Sequence, residues 1–378
     1  MAGHARSFSD VIDFVALLRE VEARSARPYA QIPLRVLRDR ENPTEIFNED
    51  EFLSRYRFSK RAVLELLSVL PLEPSLDGRG CPVPPLLQVL VALRFYGAGT
   101  FQVVRADLVN LSQPTASRIV KRVTKVIAGT LFPGLVKLPD VTQAGQVMEE
   151  FYRIANFPGV TGCIDCTHVN IKSPGGDDAE VFRYRKGYFS INVQAITGPR
   201  LQFFDVVASW PGSNHDSRIF DNSHARVRYE QGDVPGLLLG DMGYACRRYL
   251  MTPLKDPENA AEFRYNRSHK KTRCSVQRAF GIWKRRFPCL DMRMQIKATT
   301  SALVITACAA LHNFSRHLHD PLPQDDQVVQ PQSSSSPAPA AAHGSAAQPS
   351  DALPPGEPVD TEDGFRARRR IIRDYYSR

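Results

Sequence analysis

The chain has 378 residues, of which 43% are hydrophobic and 24% are charged, a composition typical of folded proteins rather than of disordered or fibrous ones. Its length is sufficient for about two domains and a tail. Lysine and arginine number 49 against 40 aspartates and glutamates, which leaves a formal charge of +9. This excess favours a polyanionic partner.

The cysteines and the apolar runs indicate the cellular compartment in which the protein resides. Seven cysteines, an odd number without regular spacing, argue against a disulfide framework and favour a reducing environment. Cys163 and Cys166 form a C-x-x-C motif in a strand pattern without a second pair at zinc-ligand spacing, so we interpret both as core thiols. The amino terminus has no continuous apolar segment of a secretory signal. Since the longest later apolar run, from Ala302 to Leu311, is too short to span a bilayer, we expect an intracellular protein with no membrane anchor.

Helical periodicity dominates the chain before residue 135. Apolar residues recur at three- and four-residue spacing from Phe52 to Leu70, and a second helix is predicted from Leu86 to Tyr96. Thr100 is predicted to cap a short helix, and after a turn at 110–112 a further helix restarts with Pro114 at its first position. Two helices joined by a tight turn predict a helix-turn-helix motif.

The second helix of this motif has the composition of a DNA recognition helix. Ile119, Val123 and Val126 form the predicted buried stripe. Hydroxyl and basic side chains on the other faces suit contacts with base edges and phosphates. These candidate DNA-binding residues are Thr115, Ser117, Arg118, Lys121, Arg122 and Lys125. An ordinary helical hairpin with a solvated basic face explains the same pattern and stays open.

Strand periodicity begins near residue 159. Four runs rich in Val, Ile and Phe, separated by turn residues, cover 159–173, 188–198, 201–210 and 236–245. Helical patterns follow at 244–251, 275–287 and 300–318. Strands that are covered by later helices predict a layered fold of mixed α and β elements.

Acidic residues occur within this strand region. Asp165 and Asp241 lie among apolar residues in or at the end of predicted strands, where a carboxylate is costly without a cation or another partner. Hard divalent cations take a few carboxylates together with waters and phosphate oxygens. Asp216 follows a strand and a turn, as a third metal candidate or a helix N-cap, and His215 beside it is interpreted as a turn residue. A metal site and hydrogen-bonded structural acids both remain open on this evidence.

A basic segment lies nearer the carboxyl terminus. Nine lysines and arginines occur between Phe263 and Phe287 without an Asp or Glu, and aromatic residues lie among them. This pattern predicts a surface that binds the nucleic-acid backbone, although a solvated helix face has the same appearance. The candidate DNA-binding residues here are Lys270, Lys271, Arg273, Lys284, Arg285 and Arg286. The Gly-rich loops of nucleotide-triphosphate and dinucleotide enzymes are missing from the sequence.

Six segments together resemble the DDE domain of PIF/Harbinger transposases, and in particular the domesticated transposase-derived nucleases of animals. They are GCIDCTHV, YRKGYFSINVQAI, WPGSNHDSRIF, LLLGDMGYA, RYNRSHKKTR and VQRAFGIWKRRF. The resemblance covers about residues 45–320. It implies a ribonuclease H-like fold and hydrolysis of DNA phosphodiester bonds with a divalent cation, Mg²⁺ or Mn²⁺. It also implies a nuclear protein, present in the cytoplasm as well, whose DNA recognition is shared with a Myb/trihelix-like nuclear partner.

The resemblance assigns roles to individual residues. Asp165 and Asp241 match the first two catalytic acids, and Asp216 matches an additional metal ligand. The third catalytic acid of the family is the Glu of the motif V-I-E-R-x-F-G, where this chain has Gln277. The amide oxygen of Gln277 can still be a weak ligand, but the lost charge lowers the affinity for metal. The resemblance therefore implies either a weakened nuclease or a domesticated transposase that binds DNA and a partner without cleavage.

The predicted organisation has five parts: an extension at 1–48, a helical helix-turn-helix domain at 49–135, a ribonuclease H-like α/β DDE domain at 140–320 with a mixed sheet flanked by helices, a disordered Pro/Ala/Ser linker at 321–360, and a basic tail at 361–378. A helix-turn-helix transcription factor is a third hypothesis, and it depends on residues 100–127 alone. The arginines from Arg366 to Arg370 are typical of a nuclear import signal, a phosphate-binding arm or a solvated tail. The oligomeric state is not fixed by the sequence, and a homo-oligomer stays open.

Overall fold

A five-stranded mixed sheet lies at the centre of the fold. The computed structural model describes residues 42–72, 83–100, 111–323 and 361–377. The strands are β1 (Val160–Asn170), β2 (Ser190–Thr197), β3 (Phe203–Pro211), β4 (Leu237–Leu239) and β5 (Leu250–Met251). Their order in the sheet is β3-β2-β1-β4-β5. The first three strands form an antiparallel meander, while β4 runs parallel to β1, and β5 parallel to β4.

Seven helices precede the sheet in the described part of the chain. They are α1 (Pro43–Ile46), α2 (Glu49–Tyr56), α3 (Lys60–Val69), α4 (Pro85–Ala98), α5 (Gln113–Thr130), α6 (Phe132–Leu135) and α7 (Val141–Ala155). Polar side chains define several starts: Ser112, for example, accepts a hydrogen bond from the amide of Thr115 and caps α5. The helix predicted to restart at Pro114 is confirmed, with Pro114 at its second position.

The remaining helices follow β3. They are α8 (Asp216–Asp221), α9 (His224–Gln231), α10 (Ala260–Arg286), α11 (Ala298–His317) and α12 (Glu362–Ile371). Short 3-10 turns lie at Asp177–Phe182 and Pro288–Leu290, and a π-helical turn at Ile372–Tyr376 continues α12. No helix in these ranges is long and apolar enough to cross a membrane.

Helices cover both faces of the sheet. Successive strand residues point to opposite faces. Cys163 packs towards α10, with its thiol donating to the Thr272 carbonyl at 3.6 Å, whereas Ile164 belongs to a separate apolar cluster with Phe220 and Tyr244 beneath α8 and α9. The result is a layered mixed α/β fold, consistent with the expected ribonuclease H-like DDE domain.

The amino-terminal helices share the main hydrophobic core with the sheet. This core extends from Phe52 through the sheet to Tyr376, and the Tyr96 hydroxyl lies 2.7 Å from Thr124 Oγ1 where α4 meets α5. The first helix predicted for the helix-turn-helix motif, at 101–109, lies outside the described residues, as does most of the predicted linker at 321–360. The motif and the domain boundaries therefore stay predictions.

The helix predicted at 244–251 is wrong. Leu250 and Met251 form the edge strand β5, which pairs with β4. The Leu238 amide donates to the Tyr249 carbonyl at 2.7 Å, and the Gly240 amide donates to the Met251 carbonyl at 3.1 Å. Periodicity cannot separate helix from strand in so short an apolar run. The next helix, α10, begins at Ala260, fifteen residues earlier than the predicted start at Ser275.

Two buried histidines make stability depend on pH. Burial lowers the pKa of His269 and of His312 to about 4, and each Nε2 fits as a donor to a backbone carbonyl, of Met251 at 3.0 Å and Leu201 at 2.7 Å. At these two sites the unfolded chain, with an ordinary histidine pKa of about 6.5, binds more protons in this window, so the contribution of each histidine to stability falls as the pH drops from about 6.5 to about 4.

We expect a loss of roughly 2 kcal/mol per histidine between pH 7 and pH 5. The free energy of unfolding by urea, measured at pH 7 and pH 5, provides the test. His312→Gln should reduce the difference between the two pH values, whereas the same change at the exposed His317 should leave it unchanged. An equal pH dependence in both variants would contradict this account.

Candidate active site

The structure brings Asp165 and Asp241 together. Asp165 lies in the middle of β1, and Asp241 lies two residues beyond the end of β4. Cys163 pairs with Leu239 in the parallel β1/β4 ladder, so the same register carried on for two residues places Asp241 level with Asp165. The two predicted catalytic acids therefore lie level with each other on neighbouring inner strands, just beyond the end of β4.

Asp165 is held in a nearly buried position. It is 9% exposed. Its Oδ2 accepts a hydrogen bond from Arg273 Nη1 at 2.8 Å, and its Oδ1 accepts one from the Cys166 amide at 2.9 Å. Burial raises the pKa of Asp165 to about 6 against the opposing effect of Arg273, and the negative charges of Asp241 and Asp216 raise it further. A bound cation would stabilise a carboxylate in these surroundings.

A tight turn fixes Asp241. Its Oδ1 accepts a hydrogen bond from the Gly243 amide at 2.9 Å. A Cβ atom added at Gly243 would lie 3.0 Å from that same oxygen and 3.6 Å from the ring of His215. The turn therefore favours glycine, and it brings His215 close to the predicted acid pair.

Asp216 approaches from the other face of the sheet. It is the first residue of α8, and His215 rather than Asp216 occupies the N-cap position. Asp216 Oδ1 accepts from Asn192 Nδ2 at 2.9 Å. Cys166 points to this face, with its sulfur 3.3 Å from the Tyr244 hydroxyl, and burial together with the charge of Asp216 raises its thiol pKa. Asp216 thus belongs to a polar cluster behind β1, whereas Asp165 faces α10.

Gln277 lies along an open face of α10. Arg273, Gln277, Gly281 and Lys284 follow one another at helical spacing on one face. Arg273 contacts Asp165, and Lys284 Nζ donates to the His168 carbonyl at 3.1 Å, so this face runs beside β1. Gln277 is exposed between those contacts, and a Cβ at Gly281 would meet nothing within 4 Å. We call the space between Asp165–His168 and Arg273–Lys284 the β1–α10 groove.

Asp165 and Asp241 are side chains of the type that a divalent cation takes as ligands. Mg²⁺ commonly binds through one or two carboxylates and retains several waters, which is the donor set that Asp165 and Asp241 offer. Gln277 contributes a neutral oxygen at most. Across the described ranges, no group of three or more His, Cys, Asp or Glu side chains is arranged to hold a metal ion. Glu262 does not complete the set, because it lies in the first turn of α10 and accepts from the Glu258 amide at 2.7 Å.

His168 belongs to the polar cluster behind β1, and the sequence reasoning missed it. Its Nδ1 lies 3.0 Å from Ser190 Oγ, and its ring centroid lies 3.8 Å from that of Tyr184. Burial lowers the pKa of His168 to about 4, and the charge of Lys284 lowers it further, while Asp216 opposes them. His168 is therefore neutral near pH 7. Strand alternation in the segment GCIDCTHV places His168 on the same face of β1 as Cys166 and opposite to Asp165.

Of the six basic residues predicted on α10, three are exposed, Arg273 and Lys284 are half-buried and ion-paired, and Arg286 is a correction. Lys270, Lys271 and Arg285 are exposed. Arg286 is instead 2% exposed, donates to Asp320 Oδ2 at 3.0 Å and to the Arg57 carbonyl at 2.6 Å, and lies over the Phe58 ring. Because it is buried and both of its Nη groups already donate to oxygens of the protein, Arg286 is a core residue rather than a DNA contact.

Helix α5 has a mixed outer face. Among its predicted DNA contacts, Ser117, Arg118 and Lys121 are exposed, whereas Thr115, Arg122 and Lys125 are half-buried. The predicted apolar stripe of Ile119 and Val123 is buried, but Val126 is only half-buried, and Ile127 is buried in its place. The helix therefore has a polar surface, while nothing in the geometry assigns DNA to it.

The family model and the most similar known proteins indicate the same family. The model of the DDE superfamily endonuclease family matches residues 164–313, a range that contains Asp165, Asp216, Asp241 and Gln277. The chain is 35% identical over 272 residues to the human (Homo sapiens) protein named "Putative nuclease HARBI1", covering 70% of this chain and 78% of that protein.

More distant relatives extend the similarity. The protein of the same name from Xenopus laevis is 28% identical over 334 residues, which is 87% of this chain and 91% of that protein. "Protein ALP1-like" from Arabidopsis thaliana is 25% identical over 271 residues, or 67% of this chain and 66% of that protein. No solved structure matches the chain significantly.

Proposed function

Since the chain belongs to the Harbinger transposase-derived family of DDE superfamily endonucleases, we propose that it is a nuclease that hydrolyses DNA phosphodiester bonds in the β1–α10 groove with a divalent cation. The observation that carries the proposal is the pair of acids on the neighbouring inner strands β1 and β4, where Asp165 and Asp241 lie level with each other beside the open, basic face of α10. A nearly buried carboxylate and a half-buried one next to a cationic surface suit phosphodiester hydrolysis with a bound cation.

The residues of the chain have separate roles in this proposal. Asp165 and Asp241 hold Mg²⁺ or Mn²⁺, with Gln277 as a weak further ligand and Asp216 adding negative charge from behind β1. When bound, the cation supplies Lewis-acid stabilisation of the phosphate and lowers the pKa of water. Arg273 neutralises Asp165 until a cation arrives.

The surrounding surface binds and positions the DNA. Lys284 lies at the far end of the groove, where its ammonium group can contact a phosphate. Lys270, Lys271 and Arg285 on α10, with the polar face of α5, bind the backbone without reading its sequence. The sequence preference, a Myb/trihelix-like partner, and residence in the nucleus and cytoplasm are further parts of the proposal that follow from family resemblance.

A non-cleaving DNA-binding or partner-binding protein is the second candidate. The position of Gln277 favours it, because a neutral amide lies on the open face of α10 where the family has a carboxylate. The Arg273 guanidinium also already compensates the charge of Asp165 at 2.8 Å. Both features lower the affinity for a cation.

Cleavage of supercoiled plasmid by the full chain in Mg²⁺ or Mn²⁺ separates the two candidates. We expect slow nicking, reduced at least about 100-fold by Asp165→Asn or Asp241→Asn, because each removes a charged cation ligand. The matched control is Asp233→Asn, at an exposed acid paired with Arg228 at 3.8 Å, which should cleave normally. Wild-type protein that binds DNA without cleaving it would support the second candidate, and cleavage that survives both active-site changes would contradict the site.

A further inference from the structure

The basic carboxyl-terminal segment is docked on the fold rather than free. Arg368 is 9% exposed, and its Nη1 donates to the Thr252 carbonyl at 3.3 Å and the Thr252 hydroxyl at 3.1 Å, and to the Pro253 carbonyl at 3.3 Å. Gly364 lies so close to the loop after Asp241 that an added Cβ would be 2.2 Å from the Cys246 carbonyl oxygen. This end of α12 is thus fixed by contacts that a larger residue at 364 would break.

The other end of the segment is fixed as well. The buried Tyr376 hydroxyl donates to Ser268 Oγ at 2.9 Å, and its ring lies edge-on to Tyr265 at 5.8 Å. Arg264 Nε donates to the Tyr376 carbonyl at 2.9 Å. Since both ends are anchored, the helix is ordered before any ligand arrives, and binding requires little further loss of conformational freedom.

Four arginines form the outward face of this docked helix. Arg366, Arg369, Arg370 and Arg373, together with Glu362, line a shallow concavity. The side chains of Arg366, Arg370 and Arg373 are 73%, 78% and 73% exposed. Their ion pairs with Glu362 and Asp374 are surface pairs of low stability that a phosphate can displace. The four arginines exceed these two acids by two charges.

The position of the helix relates this face to the proposed active site. Leu239 pairs with Met251 in the parallel β4/β5 ladder. Asp241, which follows β4, and Thr252, which follows β5, therefore lie at the same end of these two strands. Thr252 is the residue that holds Arg368. Helix α12 therefore lies beside the strand next to the acid pair, and its end contacts α10 near the exposed Arg267.

We propose that the arginine face of α12, defined as Arg366, Arg369, Arg370 and Arg373, is a second phosphate-binding surface that holds duplex DNA next to the β1–α10 groove. This proposal rests on the proposed function, because that function identifies DNA as the ligand. Arginine suits phosphate oxygens because its planar group donates two parallel hydrogen bonds. A lipid surface fits less well, because Ala367, Ile371 and Ile372 already pack against the protein core and cannot insert into a bilayer.

The test measures binding of the full chain to a fluorescent duplex of about 30 base pairs in EDTA, over a range of salt concentrations. We expect Arg369→Gln/Arg370→Gln to weaken binding about tenfold near 0.15 M salt and to reduce the slope of log affinity against log salt by about 2. Arg366→Gln/Arg373→Gln should have a similar effect. The matched control, Arg61→Gln/Arg316→Gln, removes two exposed arginines from another part of the surface and should leave affinity and slope unchanged.

The outcomes distinguish this proposal from the proposed function. Wild-type protein that fails to bind duplex DNA overturns both. Wild-type binding that is unchanged in the α12 variants, with unchanged melting temperatures, overturns the role of α12 alone. A further outcome is that the α12 variants bind DNA as tightly as the wild type but lose binding to anionic phosphatidylserine vesicles or lose nuclear accumulation. Either result assigns the arginine face to a membrane or to an import receptor, and it also overturns the role of α12 in DNA binding.

Discussion

The variant Gln277→Glu is expected to cleave plasmid DNA at least about ten times faster than the wild type and to saturate at lower Mg²⁺ concentration, because a carboxylate binds a divalent cation more tightly than a neutral amide, and changes to the partners of metal ligands alone alter metal affinity by about 10- to 100-fold. Gln277 is exposed on the face of α10 that runs beside β1, one helical turn after Arg273. A glutamate there would place a third carboxylate opposite Asp165 and Asp241. It would also compete with Asp165 for the Arg273 guanidinium, which would leave Asp165 free to bind a cation.

Two control variants make this result specific. Gln277→Ala removes the amide without adding charge and should not increase cleavage. Gln231→Glu adds the same charge at the exposed end of α9 and should also have no effect. A Gln277→Glu variant that folds normally but shows unchanged rate and unchanged Mg²⁺ dependence would contradict the placement of the third ligand on α10.

The largest stability loss is expected from Arg286→Met. Arg286 and Asp320 form an ion pair at 3.0 Å in which both side chains are 2% exposed. Asp320 also accepts hydrogen bonds from the Ser59 hydroxyl at 2.6 Å and the Ser59 amide at 3.3 Å. Removing one partner of a buried pair leaves an uncompensated charge, which typically costs about 3–5 kcal/mol.

Chemical denaturation of the full chain measures this loss, with Arg285→Met as the neighbouring exposed control. The control should stay within about 0.5 kcal/mol of the wild type. Arg286→Met/Asp320→Leu should recover much of the lost stability, because the double change removes the stranded carboxylate. If Arg286→Met costs under about 1 kcal/mol, Arg286 does not fix the end of α10 to the segment around Phe58.

The strands that carry the acids were predictable because their pattern is local. Alternating apolar residues flank Asp165, and a short apolar run ends at Asp241, so periodicity alone placed both acids in or at the end of strands. The parallel pairing of Cys163 with Leu239, which sets the two acids level with each other, depends on residues more than 70 positions apart. No local pattern contains that information.

The failures of the sequence reasoning have tertiary causes. Arg286 looks like the last member of a basic run, and its burial is decided by Arg57 and Asp320, which are distant in sequence. Helix α12 looks like a basic tail, and its docking is decided by contacts of Gly364 with Cys246 and of Arg368 with Thr252. The sequence shows which residues are charged, but the residue that pairs with each charge is known only from the folded structure.

The central claim is that Asp165 and Asp241 jointly hold a divalent cation, and Mn²⁺ binding to the full chain, measured by electron paramagnetic resonance without DNA, tests it most directly. The account predicts one weak site in the wild type, lost in Asp165→Asn and in Asp241→Asn, retained in Asp233→Asn, and tighter in Gln277→Glu. Mn²⁺ binding that is unchanged in both active-site asparagine variants would contradict it.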